Sequence, residues 1–129
     1  MAEKRAVRTE AAPAPFQGAP YSQAIDAGGL VFVSGQVGMR PGETQVVSDS
    51  VEEQTEQTFA NLRAILEAAD SSLDRLVKTT VYLTTLDDYA AMNEVYRRHA
   101  GSVPAARATV AAGLPAGCLV EIDAVALSG

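Results

Sequence analysis

Residues 50–83 read SVEEQTEQTFANLRAILEAADSSLDRLVKTTVYL, and this stretch decides the fold class. Ser50 and Glu53 have the spacing of a capping box, in which each side chain satisfies a backbone N–H at a helix start. Phe59, Leu62, Ile65, Leu66 and Ala69 then recur at helical spacing and form one apolar stripe. Asp70-Ser71-Ser72 ends the helix. Residues 76–83 alternate instead, with Val77, Thr79, Val81 and Leu83 on one side, and their β-branched content predicts a strand.

Working outward, the spacing predicts a second helix over residues 87–99, with Tyr89, Met92, Val95 and Tyr96 facing inward. Residues 104–112 and 119–127 read as strands, separated by a turn at Leu114-Pro115-Ala116-Gly117. Toward the N-terminus, residues 22–26 and 30–34 are strands joined by Ala27-Gly28-Gly29, since glycine tolerates the backbone of a hairpin turn. Residues 4–9 form a short edge strand, residues 11–20 an extended Ala/Pro-rich connection, and Gly35, Gly38, Pro41 and Gly42 open a loop to about Ser50. The order is an α+β plan, with two helices packed on one face of a mixed sheet. In the last strand Val120, Ile122, Ala124 and Ala126 share one face, while Val125 and Leu127 make the other apolar too. Either another subunit covers that second face or it is a partly solvated surface with scattered apolar groups.

The 129 residues make one domain, 1–129, with 47% apolar and 20% charged side chains, the balance of a soluble globular protein. Net charge is −6 with scattered Lys and Arg, which leaves no footprint for nucleic acid or an anionic membrane. Residues 1–16 carry charges and no apolar run, unlike a signal peptide, and no stretch is long enough to span a membrane. The single cysteine, Cys118, permits no intrachain disulfide, and the expectation is a cytoplasmic protein.

His99 and Cys118 stand alone, and the acidic pairs Glu52-Glu53 and Asp87-Asp88 sit at helix starts, so no metal site is expected. Gly35 and Gly38 make no phosphate loop. His99, at a helix end, reads as a last-turn cation or surface residue. Three polar residues stand out among apolar neighbours. Arg107 opens a strand, Glu121 interrupts one between Val120 and Ile122, and Asn93 follows Met92 on the second helix. Each is either a solvated surface group or part of a site; an ionised carboxylate in a central strand needs a partner or a wet cleft.

Ala19-Pro20-Tyr21-Ser22-Gln23-Ala24 and Val33-Ser34-Gly35-Gln36-Val37-Gly38 resemble the two N-terminal signatures of the RidA/YjgF family. Val77-Lys78-Thr79-Thr80-Val81-Tyr82-Leu83 and Met92-Asn93-Glu94-Val95-Tyr96 resemble its middle segments. Leu114-Pro115 followed by Val120-Glu121-Ile122-Asp123-Ala124-Val125-Ala126 resembles its ending. The resemblance implies a chorismate-mutase-like fold assembled as a homotrimer, with ligand clefts between subunits. It implies hydrolysis of 2-aminoacrylate- and 2-aminocrotonate-type enamine and imine acids to 2-oxo acids and ammonia, with no cofactor. Arg107 would then clamp the substrate carboxylate, Glu121 hold water and shuttle the proton, and Asn93 and Ser34 line the cleft. Tyr21 would close one wall.

The match departs in one place. Counting back from Leu114-Pro115 puts Ala106 at the family's arginine position, whereas counting forward from Asn93 puts Arg107 there. Arg107 is preferred because Arg107-Ala108-Thr109-Val110 also resembles the residues after that arginine. This choice implies a one-residue deletion within the strand, reversing side-chain facing unless a turn or bulge absorbs it. Thr109, counted among the substrate-binding residues, stands where the family often has cysteine. The alternatives are a family member recruited to a specialised pathway and a non-catalytic trimer that binds small acids or a protein partner.

Overall fold

The computed structural model describes residues 3–129, so the first two positions of the N-terminal reading lie outside the described residues. Strands β1 (Arg5–Val7), β2 (Ala24–Ala27) and β3 (Leu30–Val37) precede helix α1 (Val51–Ala68). Then come β4 (Leu76–Leu83), α2 (Tyr89–His99), β5 (Ala106–Ala111) and β6 (Val120–Leu127). The six strands form one sheet in the order β1-β2-β3-β6-β4-β5. β4 and β5 run parallel, joined through α2, and the other pairs are antiparallel. Among the described residues no helix is long and apolar enough to cross a membrane.

The apolar stripe of α1 became the core. Phe59, Leu62, Ile65 and Leu66 are buried against Val31, Val33, Val81, Ile122 and Ala124, with Met92 and Tyr96 of α2 completing the layer. Half of the expected capping box forms: the Ser50 hydroxyl accepts the Glu53 N–H at 3.2 Å, while the Ser50 N–H donates to the Ser48 hydroxyl. Asp70, with φ of 58°, turns the chain out of α1, and the Ser71 N–H returns to the Leu66 carbonyl at 2.8 Å. His99 stacks on Phe59 with ring centroids 4.5 Å apart and bonds Glu56, whose pKa it lowers, so it fastens α2 to α1.

Three expectations need correction. β3 does not stop at Ser34; it runs on to Val37 through a register break between Val33 and Gln36. A bulge at Ser34-Gly35 absorbs an extra residue where a glycine suggested the start of a loop. Val77 also falls at a register break, between Leu76 and Lys78, and is exposed instead of sharing the buried row of Thr79, Val81 and Leu83. Tyr89 is the first residue of α2 and is exposed instead of facing inward; its hydroxyl accepts a hydrogen bond from Arg107 of β5.

The helices cover one face of the sheet. On the bare face Phe32, Val110 and Leu127 remain exposed, so both faces are apolar. Strand register also sets one row across that bare face: Val37, Glu121, Tyr82 and Val110 are neighbours on β3, β6, β4 and β5. Arg107 pairs with the buried Thr79 and therefore points to the opposite, helix-covered face.

Candidate functional site

Two polar groups face two different clefts. Glu121 projects from the bare face of β6 into a cleft of about 350 Å³ with Phe16, Tyr21, Ser34, Val37, Met39 and Pro115 around it. The bulge in β3 builds this cleft. It brings Gly35 so close to Glu121 that a Cβ there would overlap the carboxylate Oε2 and lie 2.9 Å from Cδ. A glycine in mid-strand costs stability, so a close approach of this kind gives its presence a reason. Gly35→Ala should displace the Glu121 carboxylate and lower turnover by tenfold or more, on the order seen for small misplacements in active sites, with a smaller effect on melting temperature. Steady-state rates and a thermal melt check both.

α1 holds the walls of this cleft through its polar side chains. The Gln54 amide donates to the carbonyls of Ser48 and Gly117 and accepts the Leu119 N–H at 2.8 Å. Asn61 donates to the carbonyls of Val37 and Met39. Both side chains are fully buried, and their donors and acceptors take the place of water for backbone groups at the end of β3 and in the neighbouring loops. The Ser34 hydroxyl donates to the Ser22 carbonyl at 2.6 Å, and the Tyr21 hydroxyl accepts the Phe16 N–H at 2.7 Å. Glu121 is half-buried; burial first, and then the charge of Asp123, raise its pKa above the ordinary carboxylate value. The Asp123 carboxylate itself accepts the Tyr82 hydroxyl at 2.9 Å.

Arg107 stands in the second cleft, about 340 Å³, with Asn93, Tyr96, Ala100, Pro104 and Ala105. Its guanidinium carbon lies 4.6 Å from the centre of the Tyr96 ring and 5.5 Å from that of Tyr89, and it donates to the Tyr89 hydroxyl at 3.1 Å. Among the described residues no carboxylate pairs with it. Tyr96 is fixed in turn by a 2.7 Å hydrogen bond to the Thr79 hydroxyl. The Tyr89 pKa is lowered, first by the side chain of Asn93 and then by Arg107. A planar cation stacked on an aromatic face with an open edge is suited to grip a carboxylate.

β5 pairs with β4 without a break from Ala106 to Ala111, so β5 contains no bulge. Arg107 and Thr109 thus keep one facing, toward the helices, while Ala106 and Ala108 lie on the bare face with Glu121. Of the expected site residues, the structure groups Tyr21, Ser34 and Glu121 in one cleft and Asn93 and Arg107 in the other. Within one chain it does not bring Arg107 and Glu121 together. A third cleft, about 510 Å³, lies under the N-terminal segment and shares Tyr21 with the Glu121 cleft. Sequence reasoning did not pick out Tyr89, Tyr96, Met39, Pro115 or Phe16 as site residues. Gly35 was visible inside a family-like string, but its contact with Glu121 depends on the bulge.

Residues 9–128 match the family model described as endoribonuclease L-PSP. The chain is 44% identical over 124 residues to a RutC family protein of Pyrococcus horikoshii, covering 95% of this chain and 97% of that one. It is 40% identical over 127 residues to the 2-iminobutanoate/2-iminopropanoate deaminase of Mus musculus, covering 98% and 93%. The crystal structure of yeast Mmf1 superposes with a TM-score of 0.92 at 35% identity, covering 98% of this chain and all of that one.

Proposed function

The chain belongs to the RidA/YjgF family, and from that premise we propose that it hydrolyses 2-imino and 2-enamino acids to 2-oxo acids and ammonia. The observation that carries this reading is the pair of incomplete clefts: a stacked arginine free of carboxylates in one, a half-buried glutamate with a raised pKa in the other. Each lacks what the other has. A second copy of the chain, laid against the bare apolar face of Phe32, Val110 and Leu127, would bury that face and join the two clefts. We take the assembly to be a homotrimer with three such shared sites, as the family resemblance implies.

In this site Arg107 would hold the substrate carboxylate with two parallel charge-assisted hydrogen bonds, and Asn93 would line the same end. An enamine first takes a proton on carbon and gives one up from nitrogen, becoming the imine, whose carbon is electrophilic. Glu121, ionised, accepts a proton from water as the water oxygen bonds to that carbon. That proton passes to nitrogen and gives a carbinolamine; its hydroxyl proton then also passes to nitrogen, the C–N bond breaks, and ammonia departs as the C=O bond of the 2-oxo acid forms. Nothing in these steps demands a cofactor, because an imine carbon is already electrophilic. The overall charge of −6 disfavours RNA as the substrate, whatever the family model's description says.

A coupled assay tests the reading. An L-amino-acid oxidase generates the imine, semicarbazide competes for it, and faster 2-oxo acid formation with the protein present supports the proposal. An unchanged trapping rate contradicts it. The pH profile carries a second prediction. Glu121 must be ionised to take the proton, and its raised pKa places the acid limb of kcat/KM above the ordinary carboxylate range. Asp123→Asn removes a charge that raises it, so the acid limb should move to lower pH. A limb that stays put or moves up would exclude Glu121 as the base.

A further inference from the structure

We propose that Phe16 is a specificity-determining residue that makes this site prefer imino acids with an extended hydrocarbon side chain over the three-carbon imine of alanine. The proposal rests on the reading of the Glu121 cleft as an imine site. Phe16 opens a short 3-10 turn, Phe16–Gly18, at the mouth of that cleft. Phe16 is 45% exposed and takes no part in the hydrophobic core. Packing within the chain therefore gives no account of a large apolar side chain at this point.

The backbone nevertheless goes out of its way to present the ring. Gln17 sits in the left-handed region, with φ of 53° and ψ of 31°, a conformation uncommon for residues with a side chain. The Tyr21 hydroxyl accepts the Phe16 N–H at 2.7 Å and ties the turn to the cleft wall. Such local strain clusters at ligand-binding positions. The turn also couples the two aromatic residues, since any shift of Tyr21 must move Phe16.

The remaining lining sets the chemistry of what Phe16 would meet. Val37, Met39 and Pro115 are apolar, and the Ser34 hydroxyl has already given its proton to the Ser22 carbonyl. Glu121 is the charged group of this cleft, so the reacting end of a substrate belongs beside it. The opposite wall offers hydrocarbon contact and little hydrogen bonding. About 350 Å³ is also within the range of sites that take drug-sized ligands.

The test compares imines made by L-amino-acid oxidase from alanine, norvaline and leucine, using the wild type, Phe16→Leu and Phe16→Ala. The wild type should show kcat/KM rising from the alanine-derived to the leucine-derived imine. The leucine-to-alanine ratio should fall on the order of tenfold in Phe16→Ala and by less in Phe16→Leu, as expected for removing apolar contact in a specificity pocket. Melting temperature and oligomeric state should match the wild type, because the residue takes no part in the hydrophobic core of the chain. A ratio unchanged in Phe16→Ala, with imines still hydrolysed, overturns the proposal and leaves the reading of the site intact. No hydrolysis of any imine by the wild type overturns both.

Discussion

Glu121→Gln should lower kcat by a factor of roughly 10² to 10⁴, the range for loss of a positioned general base. The substitution keeps the shape of the side chain, so the close approach of Gly35 and the pairing of Glu121 with Tyr82 and Val37 persist. What disappears is the capacity to accept a proton from water. The loss should therefore lie in kcat, with substrate binding largely retained and the acid limb of the pH profile gone. A kcat within tenfold of the wild type would remove Glu121 from the chemistry. Burial of an ionised carboxylate opposes folding, so the neutral amide should leave the melting temperature undiminished.

Arg107→Ala should reduce kcat/KM by roughly a hundredfold or more, since two hydrogen bonds to a charged group contribute about 1.5–3 kcal/mol each. The side chain rests on the rings of Tyr89 and Tyr96 and makes no ion pair within the described residues, so its loss should leave the fold intact. Arg107→Lys separates charge from shape. Lysine keeps the positive charge and loses the planar fork, so an intermediate activity is expected. Equal activity for Arg107→Lys and the wild type would mean that a point charge suffices and that the stacking on Tyr96 has another purpose.

The parts of this fold that sequence made legible are those where one periodicity dominates. The stripe from Phe59 to Leu66 and the alternation from Thr79 to Leu83 each buried the face they advertised. The bulges did not announce themselves. Gly35 serves equally well as a loop residue or as the gap in a strand that admits Glu121, and the choice depends on register with β6. Tyr89 fits the helical stripe yet is exposed at the start of α2, and only the position of β5 decides that it meets Arg107. The alternation of β6 placed Glu121 opposite Val120 and Ile122, while the facing of Arg107 needed the unbroken pairing of β5 with β4. Phe16, in a stretch rich in alanine and proline, carried no periodic signal at all.

The central claim is that one catalytic site takes Arg107 from one copy of the chain and Glu121 from another. Mixing the two inactive variants tests it most directly. Glu121→Gln and Arg107→Ala chains, carrying different tags, are co-expressed or refolded together, and assemblies holding both tags are isolated. In a closed three-membered ring that holds both variants, one of its three interfaces pairs an intact arginine with an intact glutamate, whichever variant is in excess. Activity of the isolated mixed assemblies should return toward about a third of the wild-type rate per chain. Mixed assemblies as inactive as either parent would contradict a shared site.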